Sequence, residues 1–403
     1  MTTTGTDSAH RARRTALVTG ASSGIGRASA LQLAGAGWDV ALVSRSAAVL
    51  EEVAVECRAL GARALVVPAD VTDDASVERA FARAVRDLRH LDAVVHSAAA
   101  LAYGRFEDVP ADIFHAALDT TLHGTVRVAR AALHTFHGQS DRGSLVVVGS
   151  LLGKIATPWM SSYVTAKWAV HGLVRTLQIE AESTPGISIS LVSPGGVDTP
   201  VYRQAGTYIG VHGRPPPPVS TPEQVAAAVV GAVDHPRRDR SVGVANLLVV
   251  LGFRFLPSVF DRMVTPLMRL GGLSRDAVPA TPGNVLHPSP GGEGVRGGWK
   301  HDRSPLRELD GRGDAAVDAD PVLGSQPHRR AEPGSCVVAA VAATVGEVLA
   351  EGWSQALRTL RHGPAACTMT MDVRLGHQSD RLASPEPFPD HRHRLDPAWN
   401  GQA

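Results

Sequence analysis

The stretch Thr19-Gly20-Ala21-Ser22-Ser23-Gly24-Ile25-Gly26 constrains this chain more than any other, because it follows the apolar run Ala16-Leu17-Val18 and opens a helical pattern from Arg27 to Ala36. Strand, glycine turn and helix, in that order, describe the first crossover of a doubly wound α/β sheet. Gly20 allows a tight turn, Gly24 lets backbone approach a pyrophosphate, and Gly26 lets the helix sit close to the sheet. The first N–H groups of that helix lack intrahelical partners and so offer themselves to phosphate oxygens.

Downstream, short apolar runs recur at residues 40–43, 64–67, 93–95, 145–148 and 187–192, separated by helical patterns over 24–36, 47–60, 73–88, 111–137 and 161–181. Strands that are apolar on both faces and divided by helices predict a Rossmann-type doubly wound parallel sheet with helices on both faces. Its ligand crevice lies at the carboxyl ends of the strands.

After Pro194-Gly195 the pattern loosens through Gly206, Gly210, Gly213 and the prolines at 215–218, then resumes as a helix over 223–233. A loose segment beside the crevice predicts a substrate lid. Residues 242–270 are strongly apolar, with Leu247, Leu248, Leu251, Phe255 and Leu267 among them, yet the charge-free span 241–253 is only 13 residues. A membrane-crossing helix needs about 20. The segment reads as a last strand with packing or subunit-contact surface, the alternative being a helix lying in a membrane surface. Residues 1–13 read as a solvated leader and 14–278 as the folded domain. Residues 279–403, crowded with Gly, Pro, Arg, Asp and His, read as a mostly irregular extension with one possible helix over 336–360.

With 40 basic against 39 acidic side chains, bulk charge recruits neither nucleic acid nor an anionic membrane. Cys57, Cys336 and Cys367 have no ligand spacing and an odd count, so no zinc site or disulfide framework is expected and a reducing cytoplasm is the default.

Tyr163 and Lys167 are four residues apart on a predicted helix, one turn apart on the same face. A neighbouring cation lowers a phenol's pKa by favouring phenolate, which makes Tyr163 a usable general acid or base. Ser150, at the end of the run 145–149, can hydrogen-bond a carbonyl or alcohol oxygen from the carboxyl end of its strand.

The combination resembles the classical short-chain dehydrogenase/reductase family over about residues 15–276. It rests on Thr19 to Gly26, on Ser150, Tyr163 and Lys167, and on Pro194-Gly195-Gly196-Val197-Asp198-Thr199-Pro200. The resemblance implies that Tyr163 gives or takes the proton, that Lys167 holds the nicotinamide ribose and lowers the tyrosine pKa, and that Ser150 positions the reacting oxygen. It also implies cofactor contacts at Gly20, Ser22, Ser23, Gly24, Ile25 and Gly26, at Ser97 and Ala98, and at Pro194 and Gly195. Val197 and Thr199 would meet the nicotinamide carboxamide, Asp70 and Val71 would frame the adenine, and the assembly would be a homodimer or homotetramer.

Cofactor choice turns on the end of the second strand, Ser44-Arg45-Ser46. An acidic residue there would hold the ribose hydroxyls and repel a 2′-phosphate, whereas Arg45 can pair with that phosphate, so NADP(H) is favoured. Two positions depart from the family pattern. His96-Ser97-Ala98-Ala99 replaces the usual Asn-Asn-Ala-Gly, and Thr121 stands where an Asn normally holds a relay water near the lysine. The Thr121 hydroxyl, shorter and differently aimed, can still hold a water by other geometry; His96 and His123 are candidates to compensate, the alternative being packed or solvated histidines. These features together predict an NADP(H)-dependent oxidoreductase that interconverts a carbonyl and a secondary alcohol on a hydrophobic small molecule. The alternative is a catalytically impaired dinucleotide-binding sensor or scaffold.

Overall fold

A computed structural model describes residues 13–299; the leader through residue 12, the possible helix over 336–360, and Cys336 and Cys367 lie outside the described residues. The central sheet has seven strands: β1 (Thr15–Thr19), β2 (Asp39–Ser44), β3 (Ala64–Pro68), β4 (Ala93–His96), β5 (Gly143–Val148), β6 (Ile187–Pro194) and β7 (Arg240–Val242). All pair parallel, in the order β3-β2-β1-β4-β5-β6-β7. The order reverses between β1 and β4, which opens a crevice at their carboxyl ends. Register keeps those ends level, with Thr19 opposite Val43 on one side and His96 on the other.

Alternation along each strand divides the core into two layers. Ala16 and Val18 of β1 pack with Leu33, Trp38, Leu50, Val225 and Val229, under α1 (Gly24–Gly35), α2 (Ala47–Ala59) and α8 (Pro222–Asp234). Leu17 packs on the opposite face with Phe81, Val128, Phe136 and Val170, under α3 (Asp74–Leu88), α5 (Gly124–Gly138) and α6 (Ser161–Glu180). Each such fully buried aliphatic side chain contributes roughly 1.5–3 kcal/mol. Local chemistry sets the helix ends: Asp73 accepts from the Ala75 N–H to start α3, and Thr221 and Gln224 form a reciprocal capping box ahead of Pro222.

The structure revises three expectations. The helix expected over 111–137 is α4 (Ala111–Leu118), a π-helical turn (Asp119–His123) and α5. The Thr121 hydroxyl donates to the Ala100 carbonyl and accepts from the Ala100 N–H, both at 3.0 Å, and the Thr125 hydroxyl donates to the Thr121 carbonyl at 2.6 Å. Such short polar side chains compete with the helical ladder and favour the wider turn.

Residues 242–270, expected to hold the last strand, are mainly two helices, α9 (Asn246–Phe255) and α10 (Pro257–Leu267), with β7 ending at Val242. Leu247, Leu248, Phe255 and Leu270 are each about two-thirds exposed or more. No helix among the described residues is long and apolar enough to cross a membrane.

The boundary drawn at residue 278 falls short of the packed body. Thr281 pairs with Thr207, Val285 is buried beside Ala100 and Ile113, and the chain then runs back across the crevice as a strap to Trp299.

Candidate active site

The glycine turn has the geometry its residues promise. Gly20 (φ +67°) and Gly24 (φ +52°) adopt the left-handed conformation that side chains disfavour. A Cβ on Gly20 would lie 2.9 Å from the Ala98 nitrogen, and one on Gly26 would lie 2.1 Å from the Gly20 carbonyl oxygen. Gly26 therefore seats α1 against its own turn. Ser22 is buried at the start of the turn. The Ile25 and Gly26 N–H groups make no hydrogen bond among the described residues, whereas Gly24 N–H and the Ser23 hydroxyl both donate to the Gly294 carbonyl, at 2.8 and 3.1 Å.

Ser150, Tyr163 and Lys167 come together at the carboxyl end of β5. Ser150 follows Gly149 past the strand, and its hydroxyl accepts from the Leu152 N–H at 3.1 Å and interacts with the Tyr163 phenol. Lys167 is 4% exposed, donates to the Val148 carbonyl at 2.8 Å, and sits 5.5 Å from the centre of the Tyr163 ring. Burial pushes the Tyr163 phenol up to about 12, against the lowering effect of its bond with Ser150. Lys167 contributes no resolved lowering, so the expected depression of the phenol by this cation is not seen. Lys167 is itself buried, which brings it down to about 8, and it points its charge at Val148.

The remaining cleft residues line the same rim. Arg45 lies past the end of β2 and donates to the carbonyls of Asn284 (2.8 Å) and Leu286 (3.2 Å) on the strap. The Asp70 carboxylate is occupied by the backbone and hydroxyl of Thr72, at 2.9 and 2.8 Å, and Val71 is buried against Gly124. Ser97 N–H donates to the Thr19 carbonyl at 3.3 Å, which holds Ser97 and Ala98 over the turn. Pro194 ends β6, Gly195 N–H donates to the Val242 carbonyl at 2.9 Å, Val197 pairs with Ser220, and the buried Thr199 approaches Gly24.

A family profile described as short chain dehydrogenase matches residues 14–208. The uncharacterized oxidoreductase YxnA of Bacillus subtilis is 34% identical over 257 residues, covering 62% of this chain and 71% of that one. A short-chain dehydrogenase/reductase of Armillaria gallica is 34% identical over 199 residues, 49% of this chain and 76% of that one. The chain belongs to the short-chain dehydrogenase/reductase family. Among solved structures, an alcohol dehydrogenase from the archaeon Thermococcus sibiricus complexed with 5-hydroxy-NADP is similar, with a TM-score of 0.50 and 30% identity over 57% of this chain and 95% of that one.

Short-chain dehydrogenases bind a nicotinamide dinucleotide, and the start of α1 fits one through the Ile25 and Gly26 N–H groups, which make no hydrogen bond among the described residues. The two departures from the family pattern resolve differently. Thr121 is fully buried and spends its hydroxyl on Ala100, and the Lys167 ammonium donates to the Val148 carbonyl. His123 is exposed and paired with Asp119 at 3.1 Å. His96 is buried at the end of β4, with Nδ1 on the Thr19 hydroxyl at 2.8 Å and Nε2 without a hydrogen bond among the described residues. Burial, helped by Lys167, holds it down at about 3, so His96 is neutral.

Two contributors escaped the sequence reading. His171, one turn beyond Lys167, accepts from the Ser150 N–H at 3.4 Å and packs against Gly149 and Gly153. Its spacing of four from Lys167 was the available signal. The other is the strap, tied to the far wall where Gly297 N–H and Trp299 N–H donate to the Asp198 carboxylate at 3.1 and 2.9 Å.

Proposed function

We propose that this short-chain dehydrogenase interconverts a carbonyl and a secondary alcohol on a hydrophobic small molecule, with NADP(H). The observation that carries the reading is the meeting of the Ser150 hydroxyl with the phenol of the half-buried Tyr163, with the Lys167 ammonium 5.5 Å from the centre of its ring. Ser150 and Tyr163 both donate to the substrate carbonyl oxygen and polarise it. A phenol near 12 stays protonated at neutral pH, so in the reductive direction Tyr163 delivers its proton to the developing alkoxide. Lys167, cationic below about 8, would hold the ribose hydroxyls of a bound dinucleotide. The nicotinamide, when bound, supplies or accepts the hydride.

The apolar cluster around Tyr163, which includes Leu101, Tyr103, Met160, Trp159 and Met268, supports a hydrophobic substrate. Ser44 and Arg45, with no acidic residue of β2 itself at that position, support NADP(H). The exposed leucines of α9 favour subunit packing in a homodimer or homotetramer. A lipid-facing role for the same side chains would show itself as flotation with liposomes.

A second reading, a dinucleotide-binding sensor or scaffold with little turnover, is favoured by the commitment of Thr121 to Ala100. A screen of hydrophobic ketones and alcohols with both nicotinamide cofactors separates the two. Turnover supports the enzyme; tight dinucleotide binding with no turnover across the panel supports the sensor.

A further inference from the structure

The end of β2 carries an anion that no neighbouring residue supplies. Ser46 precedes α2, whose first turn holds no acidic side chain of its own. The Ser46 hydroxyl donates to Glu293 Oε1 at 2.8 Å, a residue 247 positions further along the chain. The second oxygen, Oε2, is buried and makes no hydrogen bond among the described residues. Arg45 makes no ion pair with it among the described residues; its guanidinium donates to the Asn284 and Leu286 carbonyls. The strap fixes this carboxylate from the next residue on, where the Gly294 carbonyl takes the Gly24 N–H and the Ser23 hydroxyl. A salt bridge from Arg296 to Glu223 at 3.1 Å anchors it further along.

We propose that Glu293 sets the dinucleotide preference of this enzyme, because the strap places its carboxylate in the subsite beside Ser46 that a 2′-phosphate must enter. The inference rests on the reading that the chain binds a nicotinamide dinucleotide. A helix N-terminus with an adjacent hydroxyl is a natural seat for a phosphate, and here a carboxylate already sits in it. A 2′-phosphate brings further negative charge against Glu293, while the ribose of NAD(H) brings hydroxyl donors that Oε2 can accept. Glu293 thus does from the far end of the domain what an acidic residue at position 44 would do locally, and it opposes the attraction of Arg45. The preference of the wild-type chain for NADP(H) is accordingly a narrow one.

The test is titration of the full chain and of Glu293→Gln with NADPH and NADH, followed by tryptophan fluorescence, with 2′-AMP and 5′-AMP as fragment probes. Gln keeps an acceptor for Ser46 and the side-chain volume, and a melting curve checks that the variant is folded. The expected result is a shift of the NADPH/NADH affinity ratio by at least about tenfold toward NADPH, weakened by added salt, with the same shift for 2′-AMP over 5′-AMP. Glu293→Ala shifts the ratio in the same direction. A ratio unchanged within about twofold overturns the proposal, as does an equal gain for both dinucleotides, which would make the strap a steric plug. Failure of the wild type to bind either dinucleotide overturns the functional reading as well.

Discussion

Replacing Lys167 by Met turns the cost of burying a charge into a measurable pH dependence of stability. Burial brings Lys167 from 10.5 down to about 8. At about 1.4 kcal/mol per pH unit, that displacement amounts to about 3 kcal/mol. Below pH 8 the ammonium is charged in both folded and unfolded chains, and the folded state carries the whole penalty. Between about 8 and 10.5 the folded state has lost its proton while the unfolded state keeps it. The unfolded state then binds more protons, so the free energy of unfolding rises with pH, and above 10.5 the penalty is gone.

Met matches the length of the side chain without the charge, but it leaves the Val148 carbonyl without this donor, a pH-independent loss of about 1–2 kcal/mol. Without dinucleotide, Lys167→Met is therefore expected to be more stable than wild type by about 1–2 kcal/mol at neutral pH, and less stable by about 0.5–1 kcal/mol near pH 10. Urea unfolding of both proteins at unit steps between these limits gives the difference directly, with other titrating groups cancelling. A difference that stays flat, or that slopes the other way, would refute the reasoning.

Two further substitutions probe the cleft. Gly26→Ala puts a methyl 2.1 Å from the Gly20 carbonyl oxygen, a backbone atom that cannot rotate away, so a loss of about 3 kcal/mol in the melting analysis and abolished dinucleotide binding are expected. Asp198→Ala removes the carboxylate that accepts from Gly297 and Trp299. Bonds to a charged acceptor contribute about 1.5–3 kcal/mol, so limited proteolysis should reveal new cleavage within residues 284–299; an unchanged digestion pattern would contradict the anchoring role.

What could be read in the sequence was whatever depends on near neighbours. The glycine turn and the six apolar runs are short-range patterns, and each reappears as a strand of the central sheet within a few residues of its expected bounds. The trio was legible because spacing of four on one helix face and a strand end beside it are local facts. What was hidden depends on contacts far apart in the chain. The π-helical turn comes from Thr121 bonding Ala100, 21 residues before it. The strap binds mainly through carbonyls of Asn284, Leu286 and Gly294, which carry no side-chain signature, and its glycines and prolines look like those of a disordered tail. The run Leu247-Leu248-Val249-Val250-Leu251 is ambiguous between strand and helix by periodicity alone, and it is helical here. The phenol of Tyr163 was expected to follow its neighbouring cation, whereas burial dominates.

The central claim is that the Tyr163 oxygen moves the proton beside a bound nicotinamide. Turnover of wild type and Tyr163→Phe, measured side by side with saturating NADPH and the ketone that the screen finds best, tests it most directly. The account predicts that the variant still binds the dinucleotide and loses about 10²–10⁴-fold in kcat. Equal rates for the two proteins would contradict it.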